Sequence, residues 1–155
     1  MGVPMTWFRR DRTLALAAAG SIEIREAWAR PSSSRLLEAA GFLTVTNNGP
    51  EPDRLVGATS PAADNIEIHA IKVVGANVMM RPLAEGLPVH GGVTITLKPR
   101  GYHLLLQGLK IQPRTGSRLP VTLAFEKAGS IAIELPVKSP GPIGNAVFDQ
   151  SPSRG

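Results

Sequence analysis

All three of the chain's histidines and two of its four methionines fall between His69 and Leu109. His69 sits in Ile66-Glu67-Ile68-His69-Ala70-Ile71, and Met79 and Met80 sit in Asn77-Val78-Met79-Met80-Arg81. His103 sits in Gly101-Tyr102-His103-Leu104-Leu105-Leu106. Imidazole and thioether together make a soft donor set. Methionine sulfur is neutral and polarizable, so it suits Cu(I) far better than Mg(II) or Ca(II). Zn(II) sites usually take thiolate, a third histidine or a carboxylate. The chain has no cysteine, which excludes disulfides, a catalytic thiol and thiolate metal sites together. Nothing near the stretch reads as a nucleophile or general base, so its chemistry is to hold and release a metal ion. The chain carries no Ser/His/Asp spacing, phosphate-cradling glycine loop or paired carboxylates, and is read as not an enzyme.

Strands must position these groups. Side chains alternate faces along a strand. Glu67, His69 and Ile71 then share one face, opposite Ile66, Ile68 and Ala70. In the second run, His103, Leu105 and Gln107 lie opposite Leu104 and Leu106. Both imidazoles are set against a cleaner apolar row and are free to meet solvent or a ligand; two ordinary half-exposed histidines would give the same pattern. Glu67 and Gln107 are candidates to orient the rings from behind. Met79 and Met80 point to opposite faces, and the pattern leaves open which is donor and which is core filling. His90, in the turn Pro88-Val89-His90-Gly91-Gly92, becomes a ligand only if that turn folds over the site. Otherwise it is an exposed turn histidine.

The rest of the chain reads as scaffold. A length of 155 residues with 43% hydrophobic content supports one domain with a real core, and 14 prolines with 16 glycines favour short strands over long helices. Ile22 to Trp28 alternates apolar and charged residues. Phe42-Leu43-Thr44-Val45-Thr46 ends at the turn signal Asn47-Asn48-Gly49-Pro50. Val93 to Leu97, Tyr102 to Leu109, Leu119 to Glu126 and Ile131 to Leu135 follow as further runs. Eight or nine strands at about ten-residue spacing predict an all-β antiparallel Greek-key sandwich or barrel. Residues 1–20 join basic Arg9, Arg10 and Arg12 to an apolar, alanine-rich run, the outline of a signal or leader segment. The run is too short to span a bilayer. The expected organisation is a leader over 1–20, a β domain over 21–138 and a disordered tail over 139–155. The expected location is periplasmic or otherwise exported. A formal charge of +5 is spread over ends and turns without stacking aromatics, which argues against nucleic acid. The expected state is a monomer.

Several short pieces, in order, resemble the periplasmic copper chaperones of the PCu(A)C family. They are Ala27-Trp28-Ala29-Arg30, Thr44-Val45-Thr46-Asn47-Asn48-Gly49, Asp53 to Ala58, Ser60-Pro61-Ala62-Ala63, Leu97-Lys98-Pro99, Gly101-Tyr102-His103-Leu104 and Phe125-Glu126-Lys127-Ala128-Gly129. The resemblance covers roughly Ile22 to Val137. It implies a cupredoxin-like fold carrying Cu(I) on His and Met ligands. The family motif is a His, ten residues, a Met, twenty-one residues, then His-x-Met. His69 and Met80 match the first two positions, and His103 matches the third after a gap one residue longer. The final Met is absent, with Leu105 in its place. The resemblance thus implies a three-ligand site of His69, Met80 and His103. The implied partner is the apo-subunit of a respiratory oxidase or another copper-handling protein. Two rival readings are an interaction module of the same fold with a degraded metal site, and a Cu(II) or Zn(II) scavenger using His69, His103 and His90.

Overall fold

Alternating apolar runs become β-strands throughout a computed structural model of the protein, which describes residues 17–32 and 37–138. In chain order the strands are β1 (Ala17–Ala19), β2 (Ile22–Pro31), β3 (Glu38–Asn47), β4 (Asp53–Thr59), β5 (Ala63–Val74) and β6 (Asn77–Pro82). They continue with β7 (Leu87–Val89), β8 (Thr94–Leu97), β9 (His103–Leu109), β10 (Arg118–Phe125) and β11 (Gly129–Pro136). One sheet has the order β1-β2-β3-β9-β5-β6, with β8 also pairing β3; the other has the order β11-β10-β4-β7. All pairings between these strands are antiparallel. Among the described residues there is no helix.

The core lies between the sheets. Ile22, Ile24, Leu43, Val45, Ile66, Ile68, Leu104 and Leu106 contribute from the first sheet. Leu55, Val121, Leu123, Ile131, Ile133 and Leu135 contribute from the second. The period-2 pattern therefore buries one face of the first sheet and leaves the other free for polar groups.

Two irregularities shape that outer face. Arg25 pairs Thr44 but Trp28 pairs Phe42, so β2 carries an extra residue there, and Glu26 takes φ 54. This bulge switches parity. Ile22 and Ile24 point inward before it, Ala27 and Ala29 after it, and Trp28 and Arg30 are turned to the outside. Plain alternation from Ile22 would have put Trp28 in the core. The second irregularity interrupts the partner of β3. Leu97 on β8 pairs Leu43 and Leu104 on β9 pairs Gly41, so residues 98–103 stand against the single Phe42.

Three short pieces depart from the sequence expectation. Ala17–Ala19, inside the expected leader, pairs with Ile22–Ile24 as β1, so the sheet starts ahead of residue 21. The rest of that segment, residues 1–16, and the expected tail lie outside the described residues. β3 starts at Glu38 rather than Phe42, because Ala39 and Gly41 are small enough to sit under β9 and β11. A Cβ on Gly41 would come within 3.0 Å of Leu135 Cδ1 and 3.4 Å of Leu104 Cβ. Tertiary fit thus overrides weak strand propensity. Leu87–Val89 pairs β4 as β7, where the sequence suggested only a turn.

Buried polar side chains pin the turns. Asn47 donates from Nδ2 to the carbonyls of Glu51 (2.7 Å) and Val89 (3.0 Å), and its Oδ1 accepts from the Gly49 amide. The Asp53 carboxylate accepts from the backbone amides of Arg54 (2.7 Å), Lys127 (2.8 Å) and Ala128 (3.0 Å), tying β4 to the β10–β11 turn. Asp53→Ala would leave those amides without their acceptor in a buried place. It is expected to lower unfolding free energy by about 2–3 kcal/mol, read as a drop in the urea midpoint with an unchanged slope. An unchanged midpoint would mean that the turn does not depend on the carboxylate.

Candidate metal centre

The centre is built on the outer face of the larger sheet, where β5 and β9 run side by side. Their register pairs His69 with His103, Glu67 with Leu105 and Asn65 with Gln107. Directly opposed residues on neighbouring antiparallel strands have Cβ atoms about 4.5–5.5 Å apart. The two imidazole centroids lie 5.5 Å apart at an interplanar angle of 43°. The face expected for both histidines is the one they occupy. Their burial differs from a half-exposed pair: His69 is 8% exposed and His103 is 6%.

Each ring has one nitrogen committed and one left over. His69 Nε2 lies 2.8 Å from Glu67 Oε1. A carboxylate accepts, so this nitrogen carries the proton and Nδ1 carries the lone pair. That Nδ1 is buried and has no hydrogen-bond partner. Buried polar atoms are rarely left this way, which makes this nitrogen a candidate metal donor. His103 has the opposite tautomer: Nδ1–H donates to the Gly101 carbonyl at 3.0 Å, leaving Nε2 as its lone-pair nitrogen. Both rings are thereby oriented from behind, as metal-binding imidazoles commonly are.

The methionine pair is sorted by the β5–β6 hairpin. Ile71 pairs Met80 and Lys72 pairs Met79. Ile71 shares the face of His69, so Met80 does as well, and Met79 points to the opposite face. Met80 and His103 line one groove of about 660 Å³, together with Leu105, Ile71, Phe42 and Arg30. Met80 is 57% exposed, so its thioether meets solvent while the imidazoles are sheltered.

Other candidates are placed elsewhere. His90 is exposed and follows β7 in the smaller sheet, where its carbonyl accepts from the Val93 amide. The structure does not bring it to the histidine face. Gln107 accepts from Asn65 Nδ2 at 2.9 Å rather than supporting an imidazole. Leu105 occupies the groove one step along the face from His103 and offers only carbon. Among the described residues no three His, Cys, Asp or Glu side chains are grouped to hold a metal ion. Met80 is the sulfur-bearing side chain on this face.

The residue that sequence reading missed is Gly101. Its carbonyl fixes the His103 tautomer, and the turn presenting it runs from Lys98 to Gly101, closed by a Gly101 N–H to Lys98 carbonyl bond of 2.9 Å. Proline at the second position and φ 71 at Arg100, the third, make this a type II turn. The Pro-x-Gly spacing was a usable signal for the turn, but not for its hydrogen bond to the ring.

The pKa of His103 lies below the ordinary 6.5, chiefly because burial penalises the charged ring. The Gly101 carbonyl opposes this, and the charges of His69 and Arg30 add to the lowering. Arg30 Cζ lies 5.6 Å from the Phe42 ring centroid, and Phe42 in turn packs against Trp28 at 4.6 Å.

Comparison with known proteins gives the family and the fold. Residues 22–137 match the family described as "Putative lipoprotein LpqE-like". A relative named "Putative lipoprotein Lxx21020", from Leifsonia xyli subsp. xyli, is 31% identical over 120 residues, covering 77% of this chain and 71% of its own length. Among solved structures, a copper-bound PCuAC domain from PmoF2 has TM-score 0.66 and 27% identity, covering 79% of this chain and 97% of that domain. The apo PmoF2 domain has TM-score 0.67 and 27% identity over 80% of this chain and 94% of that chain. The solution structure of CuI-DR1885 from Deinococcus radiodurans, at 24% identity and TM-score 0.57, shares the fold over 86% of this chain and 85% of its own. The expected antiparallel, cupredoxin-like architecture and the PCu(A)C resemblance are thus both met.

The lowered His103 pKa has a consequence for stability. Above pH 6.5 the ring is neutral in both folded and unfolded chains. As pH falls through 6.5 the unfolded chain takes up the proton first, so unfolding becomes more favourable until the folded ring also titrates. Stability is expected to fall below pH 6.5, and less steeply in His103→Gln. Urea midpoints between pH 7.5 and 5 check this; identical slopes in the two proteins would refute it.

Proposed function

The chain belongs to the LpqE-like family, and on that footing we propose that it is a copper carrier binding one Cu(I) ion between β5, β6 and β9. The donors in this reading are His69 Nδ1, His103 Nε2 and the Met80 sulfur. The observation that carries it is the pair of opposed imidazoles, each with its second nitrogen already engaged and one, His69 Nδ1, buried without a partner. A copper-bound PCuAC domain with 27% identity supports the same metal.

Charge favours Cu(I) over divalent ions. All three donors are neutral, and the nearest carboxylate, Glu67, is engaged with the far nitrogen of His69. A divalent ion would keep its full charge in a partly buried place, which costs more than keeping a single charge. Soft thioether sulfur adds to the same preference. These points weigh against the Cu(II) or Zn(II) scavenger, which would also need His90 moved from the other sheet.

The exposed thioether suits exchange: an incoming donor can replace it while the imidazoles hold the ion. The recipient in this reading is an exported copper protein, such as the apo-subunit of a respiratory oxidase. Relatives named as lipoproteins support an exported location. No helix of the described residues is long and apolar enough to cross a membrane. Leu105 favours one alternative, a same-fold interaction module whose metal site has lost a donor.

An anaerobic Cu(I) titration of the whole chain against a chromophoric chelator separates the two. One equivalent is expected, lost on replacing His69 and His103 together by alanine. Met80→Leu should weaken binding by about tenfold or more, the equivalent of 1.4 kcal/mol, and Met79→Leu should leave it unchanged. Uptake that the double alanine variant matches would favour the interaction module.

Leu105→Met adds a sulfur on the histidine face. It is expected to tighten Cu(I) binding by about tenfold, measured by the same competition. Unchanged or weaker binding would place the ion away from the His103–Leu105 edge.

A further inference from the structure

Two arginines, Arg30 and Arg100, line the groove, and the proposed metal centre uses neither. Arg30 leaves β2 on the outer face because of the Glu26 bulge, and folds over Phe42 toward His103. Its charge is felt there, as one of the causes depressing the His103 pKa. Arg100 stands at the third position of the Lys98–Gly101 turn, just before His103, with φ 71. Glycine or asparagine takes that conformation with little strain, whereas a residue as bulky as arginine does so at a cost. Strain of this kind persists where the surroundings or the function hold it.

Neither arginine has a carboxylate partner among the described residues. Glu38 is the acidic residue lining the same groove. It pairs with Gln107, four residues along β9 from His103, so about 13 Å away at 3.3 Å per residue. Arg30 stands between these two levels, opposite Ala40, with its guanidinium folded over Phe42. Ala40, Leu105 and Pro99 give the groove an apolar wall.

We propose that Arg30 and Arg100 form a carboxylate-binding site through which the groove receives an acidic segment of the protein that exchanges copper with this chain. Guanidinium forks bind carboxylates in two parallel hydrogen bonds, which fixes orientation as well as position. A carboxylate docked there would hold its neighbouring residues beside His103 and the exposed Met80. An overall charge of +5 steers the same class of partner toward the chain. The exchange role rests on the Cu(I) reading of the adjacent histidines; the carboxylate site rests on the arginines alone.

The test uses two synthetic peptides, each with the same methionine-rich Cu(I)-binding centre, one flanked by glutamates and the other by glutamines. First, the metal-free whole chain is titrated with each peptide and with citrate, following backbone amide NMR signals around residues 30 and 100. The glutamate peptide should bind about tenfold more tightly than the glutamine peptide at low salt, and the preference should fade as salt rises. Arg30→Gln with Arg100→Gly should abolish that preference; glycine suits the positive φ, so the turn is retained. Arg100→Lys, which keeps the charge, should retain part of it. Second, Cu(I) transfer from the loaded chain should be faster to the glutamate peptide than to the glutamine peptide, and the double variant should lose this difference between the two peptides. An equal preference in the double variant would overturn the proposal. So would citrate binding at the arginines where the glutamate peptide does not, because it would assign the groove to free carboxylates. If the chain takes up no Cu(I), the metal reading fails, and the first titration still decides the carboxylate site.

Discussion

The register of β5 against β9 is the constraint on which the histidine pair depends. A shift of one residue in a sheet turns every side chain to the other face. Here Ile66 and Ile68 lie beside Leu106 and Leu104 in the core, and these contacts fix the register. The same register puts His69 beside His103 on the outside. The imidazoles are therefore positioned by the aliphatic row behind them. A preformed pair of lone pairs costs little to organise when a ligand arrives, because the core has already met the ordering entropy.

Regular pairing alone would not make a groove. The sheet departs from regularity at two places, and both border the site. The Glu26 bulge brings Trp28 and Arg30 to the outer face, where Trp28 packs on Phe42 and Arg30 covers it. The insertion of residues 98–103 opposite Phe42 raises a type II turn over the head of β9. That turn supplies the Gly101 carbonyl to His103. Phe42 is 1% exposed although it points away from the main core. It serves as a small second core on which the bulge and the turn both rest.

Much of this was legible in the sequence, and the reasons differ by element. The runs around His69 and His103 alternate cleanly, so their faces could be read from periodicity. The choice between Met79 and Met80 could not. It depends on the hairpin register that sets Ile71 against Met80, and both residues look alike to a pattern of period two. Spacing in the PCu(A)C resemblance pointed to Met80, and the hairpin puts that residue on the histidine face. The Glu26 bulge was hidden because an exposed glutamate in a charged, alternating run gives no warning of a positive φ. The start of β3 was missed because Ala39, Ala40 and Gly41 have little strand propensity of their own. The burial of the histidines was also hidden, since it comes from elements distant in sequence.

The proposed donors differ in mobility, and this difference bears on what the site can do. His69 and His103 are sheltered, hydrogen-bonded from behind and carried on strands with partners on both sides. Met80 lies on β6, the edge strand of the sheet, and all six residues of that strand are exposed. A thioether there, on a long flexible side chain, can leave the ion without disturbing the core. The position where the resemblance leads one to expect a second thioether is Leu105, on β9 between two strands. Sulfur at that more rigid place would hold the ion on a third side and hinder its release. With carbon there instead, the groove side of the proposed site offers no second thioether, and the donor that can move is the one on the edge strand.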